Sequence, residues 1–166
     1  MPKIILIAHN IRSTHNIGSL LRTADGLGID FVYLTGYTPY PIAKNDQRLP
    51  HLAQRNHNKI AKTALGAENN SKWSYFTDIN ELLTELKSKG YILGALEQNS
   101  KSVELNKFIT DKNIAIILGS EVLGIDKDLI EQCDVILEIP MSGTKESFNV
   151  IEAATMAMYQ LKFHNK

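Results

Sequence analysis

Apolar runs alternate along the chain with segments whose apolar positions recur at helical spacing. Lys3–His9 (KIILIAH) is a short apolar run of the kind found in strands buried on both faces. From Ile17 on, Ile17, Leu20, Leu21, Ala24 and Leu27 mark one face of a helix, which Asn16 is placed to cap. Asp30–Gly36 (DFVYLTG), rich in β-branched and aromatic residues, predicts a second strand. The following YTPYPIAKNDQRLP, with Pro39, Pro41 and Pro50, predicts a long loop. NKIAKTALGAE predicts a short helix ending near Gly66, and WSYF a short strand. DINELLTELKSKG predicts a helix capped by Asp78, with Gly90 just past its end. YILGALE, IAIILG and DVILEIP predict three more buried strands, with DKDLIEQC as a short helix between the last two. A long amphipathic helix is expected from Ser147 to the C-terminus.

Strands alternating with helices predict an α/β fold, a mostly parallel sheet with helices on both faces, in one domain over residues 1–166. No apolar run is long enough to span a membrane, and the run near the start is too short for a secretory signal. The lone cysteine, Cys133, cannot form an internal disulfide, so we expect a small core residue and a cytoplasmic protein.

The formal net charge is +0, which argues against a generic binder of polyanions. Its distribution is less even. Residues 1–66 carry Lys3, Arg12, Arg22, Lys44, Arg48, Arg55, Lys59 and Lys62 against Asp25, Asp30 and Asp46. Such asymmetry is compatible with a basic face for phosphates.

Three segments hold candidate chemistry. NIRSTHN sets amide, hydroxyl and guanidinium donors before a helix N-terminus, where free N–H groups favour anions. Gly18 in the first turn could let a ligand approach the backbone. In IAIILGSEVLGID a buried strand runs into a loop holding Gly119, Ser120, Glu121 and Gly124, and such loops build the ligand crevice of parallel sheets. In LEIPMSGTKESFNV a strand leaves through Pro140, turns at Gly143 and enters a helix near Ser147, with Ser147 as a simple cap or Ser147 and Asn149 together as donors into a crevice. Small residues at Ala153, Ala154 and Ala157 suit either core packing or a dimer seam. Other chemistries find no support. The histidines are scattered and one cysteine is too few for structural zinc, so no metal is expected. The sequence lacks a P-loop, a nucleophile elbow and a dinucleotide fingerprint.

Together the three segments resemble the signatures of the SpoU family of SPOUT methyltransferases. They match N-x-R-x-x-x-N-x-G-x-x-x-R-x-A over Asn10–Ala24, L-G-x-E-x-x-G over Leu118–Gly124, and I-P-M-x-G-x-x-x-S-x-N-V over Ile139–Val150. The resemblance implies an RNA 2′-O-ribose methyltransferase that uses S-adenosylmethionine, a C-terminal trefoil knot, and a homodimer seamed partly by the small-residue face of the last helix. Its catalytic positions fall on Asn16, Arg22, Glu121, Ser147 and Asn149. Its cofactor positions fall on Leu96, Gly119, Ser120, Glu121, Ile139, Met141, Ser147 and Phe148, the last replacing the family's usual leucine.

The resemblance makes Arg22 the base. A guanidinium normally stays protonated, with a pKa above about 12. Basicity would need burial or crowding cations; clamping a phosphate while polarising the hydroxyl is the other available role. Arg12, Lys44, Arg48, Arg55, Lys59 and Lys62 are the expected RNA contacts. The substrate is tRNA or rRNA, and we expect tRNA, because the chain is expected to lack the N-terminal RNA-binding domain of many relatives. The competing readings are a non-catalytic RNA-binding or assembly factor on the same scaffold, and a flavodoxin-like protein using another nucleotide.

Overall fold

A computed structural model describes residues 2–164. The strands are β1 (Ile4–His9), β2 (Phe31–Thr35), β3 (Trp73–Phe76), β4 (Ile92–Leu96), β5 (Val103–Glu104), β6 (Ile114–Leu118) and β7 (Val135–Glu138). The α-helices are α1 (Thr14–Leu27), α2 (Pro50–Ala64), α3 (Ala67–Asn70), α4 (Ile79–Ser88), α5 (Lys127–Ile130) and α6 (Val150–Phe163). All strand pairs are parallel, in the order β3-β2-β1-β6-β4-β7-β5. The expected parallel α/β sheet is therefore present, covered on both faces.

Alternation within the strands divides the core. Ile4, Leu6 and Ala8 of β1 and Ile114, Ile116 and Leu118 of β6 face α1 and α6. Ile5, Ile7, Ala115 and Ile117 point the other way, against Leu82, Leu83 and Leu86 of α4 and Leu129 of α5. Cys133 packs against this second core; burial pushes its thiol pKa up to about 11, and Sγ donates to the Leu129 carbonyl at 3.2 Å. No helix among the described residues is long and apolar enough to cross a membrane.

Several boundaries differ from expectation. Ser13, not Asn16, caps α1: its Oγ accepts from the Asn16 amide at 3.2 Å. That leaves the Asn16 side chain free for another partner. The helix expected from Asn58 starts at Pro50, because proline's missing N–H costs nothing in the first turn. Its first half has only Ala53 buried, too weak a stripe to read from sequence. The last helix starts at Val150, and Asn149 rather than Ser147 is its cap, accepting from the Ile151 amide at 2.8 Å. β5 was not expected, being two residues long.

Gly18 serves packing rather than ligand approach. It is buried under α2, where an added Cβ would overlap Thr63 Oγ1 and the Ile60 carbonyl. The small-residue face of α6 is likewise internal: Ala154 and Ala157 are fully buried in the chain's own core, while Ala153 is half-buried. Gly18→Ala should lower stability by about 1–3 kcal/mol through overpacking, outweighing a helix-propensity gain of up to roughly 1 kcal/mol. Urea unfolding checks this, and a variant as stable as its parent would refute the tight α1–α2 contact.

Candidate active site

Parallel strands end at one edge of the sheet, so the loops after β4, β6 and β7 emerge side by side. They enclose a cavity of about 480 Å³, well within the range of small-molecule sites. Leu96, Leu118, Leu137, Ile139, Val150 and Ala153 supply apolar lining. Glu97, Glu121 and Glu138 supply carboxylates, and among the described residues the lining holds no lysine, arginine or histidine.

The loop after β6 folds back on itself. Ser120 and Gly124 exchange backbone hydrogen bonds at 3.0 Å, and Ser120 Oγ accepts from the Leu123 amide at 2.9 Å. The Ser120 hydroxyl thus builds the turn. At Gly119 a Cβ would run into the Gly124 carbonyl and the Ile125 amide, so glycine is required by the loop itself.

Glu121 leaves this loop and reaches the chain before α1. Its carboxylate accepts from the amides of Arg12 (3.2 Å) and Ser13 (3.3 Å) and from Asn16 Nδ2 (3.0 Å). The first and second signature segments therefore meet through Asn16 and Glu121. Partial burial alone would raise the Glu121 pKa, but these hydrogen bonds and one from its own amide hold it below its ordinary value.

Of the expected cofactor residues, Leu96, Gly119, Ser120, Glu121, Ile139, Ser147 and Phe148 line the cavity, whereas Met141 does not. Ser147 and Asn149 stand on the wall entering α6. Asn149 spends its Oδ1 on the helix cap, leaving Nδ2 as an available donor. Arg22 is not brought to this group. It lies six residues beyond Asn16 on α1, roughly 9 Å along the axis and about 120° around it. It is exposed and makes no hydrogen bond or ion pair among the described residues.

The basic residues divide. Arg55, Lys59 and Lys62 recur at helical spacing along the exposed side of α2, and Lys44 is exposed in the loop before it. Arg48 is a correction: its guanidinium is consumed within the protein. It donates to Asp46 (Nε to Oδ1, 2.9 Å) and to the carbonyls of Tyr40 (2.9 Å) and Pro41 (2.8 Å). It also lies 3.5 Å from the Tyr40 ring centroid, and Tyr40 stacks on Tyr75. Arg48's hydrogen bonds drive the Asp46 carboxyl far below the usual range. Arg48 thus holds the proline-rich loop together.

Sequence reasoning missed Glu97 and Gln98. Glu97 accepts from the Gln98 amide (3.0 Å) and the Ile125 amide (3.1 Å), and Gln98 Nε2 donates to the Glu146 carbonyl (3.0 Å). They join the loops after β4, β6 and β7. The signal for Glu97 was position: a carboxylate directly after the apolar strand β4.

A model of the SpoU rRNA Methylase family matches residues 3–159. A Staphylococcus aureus protein assigned to the TrmH family of tRNA/rRNA methyltransferases is 30% identical over 157 residues, 95% of this chain and 57% of that protein. The chain thus spans little more than half the length of this relative. An AdoMet-bound rRNA methyltransferase from Sinorhizobium meliloti superposes with TM-score 0.80 at 17% identity, over 98% of this chain and 56% of the other. An RNA 2′-O ribose methyltransferase gives TM-score 0.76 at 21% identity, over 96% and 57%. At these identities the structural likenesses establish the fold.

A lowered carboxylate pKa stabilises the folded chain above the ordinary glutamate value, near 4.3, and that contribution disappears as pH falls through the folded-state value. Glu121→Gln should therefore flatten part of the acid limb of stability. Urea midpoints of both proteins between about pH 3 and pH 7 test this; parallel curves would show that Glu121 does not hold the α1 loop.

Proposed function

Because the chain belongs to the SpoU rRNA Methylase family, we propose that it transfers a methyl group from S-adenosylmethionine to a ribose 2′-hydroxyl of RNA. The observation that carries this reading is the cavity at the ends of β4, β6 and β7, in which residues of the second and third signatures share one wall. Its lining suits that cofactor. Apolar walls fit an adenosine, and Glu97, Glu121 and Glu138 favour a cation, whereas a flavin or nucleoside phosphate is better served by basic groups, of which the described lining has none. When bound, S-adenosylmethionine supplies a methyl group made electrophilic by its sulfonium.

The chain's own residues then have defined work. A ribose hydroxyl is a poor nucleophile until polarised or deprotonated. Ser147 and the free Nδ2 of Asn149 orient the hydroxyl at the cavity wall. Glu121 fixes Asn16 and the loop before α1 relative to that wall. Arg22, exposed and without a hydrogen bond or ion pair among the described residues, acts as a phosphate clamp through its bidentate fork. The rest of the rate enhancement comes from placing the hydroxyl in line with the methyl group, and the hydroxyl proton passes to solvent as the new O–C bond forms.

RNA is held by Lys44, Arg55, Lys59 and Lys62, with Arg12 at the site's edge. We place the target in tRNA ahead of rRNA, since this basic stripe runs along one helix of about 22 Å, the scale of a compact RNA. The reading includes a homodimer. Val122 and Leu123 are 80% and 77% exposed beside the cavity, and Tyr159 and Phe163 of α6 are half exposed. It also includes the trefoil knot that the family resemblance implies.

Arg22→Ala should abolish methyl transfer while leaving S-adenosylhomocysteine affinity, measured calorimetrically, within about threefold; turnover within about tenfold of the parent (about 1.4 kcal/mol of barrier) would remove Arg22 from the machinery. Mapping 2′-O-methyl positions in total RNA from cells with and without the protein names the substrate. A position lost in tRNA is the expected result, and an unchanged map would overturn the proposed reaction.

A further inference from the structure

The turn after β2 presents Tyr37 in an unusual way. The ring is 52% exposed, yet its backbone is pinned on every side. The Tyr37 amide donates to Asn10 Oδ1 at 3.1 Å, and Asn10 Nδ2 donates to His9 Nε2 at 3.0 Å. Gly36 before it has φ +65, a left-handed conformation, and a Cβ there would strike Asn10. Thr38 after it is buried, donating to the Ala8 carbonyl (2.9 Å) and accepting from the Ile11 amide (3.1 Å). A solvent-facing aromatic on so rigid a turn contributes little to the core. Neighbouring aromatics behave differently: Phe31, Tyr33 and Phe76 pack on one another, as do Tyr40, Trp73 and Tyr75.

The guanidinium of Arg12 lies over the Tyr37 ring, 5.7 Å from its centroid. Arg12 in turn is joined to the candidate site, because its amide donates to Glu121 and Glu121 lines the cavity. A planar cation and an aromatic face are thus held together at the edge of that site, both open to solvent.

We propose that Arg12 and Tyr37 form a stacking platform for an unpaired nucleobase beside the target ribose, so that the substrate is single-stranded or looped RNA rather than duplex. This rests on the RNA-modifying reading above. Bases splayed from single strands stack on aromatic rings and guanidinium planes, whereas paired bases keep their faces covered. The platform is sequence-tolerant and adds to phosphate contacts, which act on any strand.

The test uses the full chain and three fluorescent RNAs of about 12 nucleotides: a mixed-sequence single strand, an abasic ribose-phosphate strand of equal charge, and a blunt duplex. The parent should prefer the base-bearing strand. Tyr37→Ala should weaken that strand by about five- to a hundredfold while leaving the abasic strand within about twofold, and Tyr37→Phe should retain the preference. An unchanged base-to-abasic ratio in Tyr37→Ala would overturn the platform. So would a parent that favours the duplex or does not distinguish the strands. A change of oligomeric state in Tyr37→Ala, read by sedimentation, would assign the ring to a protein contact instead. Calorimetry with S-adenosylhomocysteine separates the two levels: a parent that does not bind it defeats the methyl-transfer reading, while the strand comparison still decides the platform.

Discussion

A parallel sheet cannot leave a face to water, because each crossover between parallel strands carries chain across a face. Here that constraint is met by β1 and β6, whose residues are buried on both sides. Alternate side chains serve two separate cores, one under α1 and α6 and the other under α4 and α5. The same constraint brings every strand out at one edge. The candidate site follows from it: the loops after β4, β6 and β7 have no choice but to be neighbours.

Within that arrangement, carboxylates do the joining. Glu97 ties the loop after β4 to the loop after β6, and Glu121 ties the loop after β6 to the chain entering α1. Each accepts from backbone amides that would otherwise lack partners near the cavity. Neither is a buried ion pair, so neither bears the full desolvation penalty of one. The resulting acidic lining also sets the kind of ligand the cavity favours, which links the scaffold's hydrogen bonding to its chemistry.

The sequence made the sheet class and the three signature segments legible, because both rest on strong local patterns. Boundaries were legible where a cap is explicit, as at Asp78, and not where capping is shifted, as at Ser13 and Asn149. The N-terminal half of α2 was hidden because its buried stripe is thin and a proline opens it. Arg48 looked like a phosphate contact because composition cannot show that Asp46, Tyr40 and Pro41 take up its donors. Gly18 looked like a ligand cradle because its occupant, α2, lies some 45 residues later in the chain. Arg22's separation from Asn16 needed only helix geometry, and was obscured by their sharing one motif.

The position of β6 has a further consequence for how the chain reaches its fold. Ile4 pairs with Ile114, and the contact from the Lys3 amide to Asn113 spans 110 residues. The middle of the sheet therefore closes only after most of the chain exists, with β6 seated between β1 and β4. Pairing over such separations makes folding slow, because loop closure precedes the contacts that reward it. During synthesis the apolar edge of β1 waits for a partner that leaves the ribosome seconds later. Assembly, more than final stability, is the step at which this architecture is exposed to aggregation.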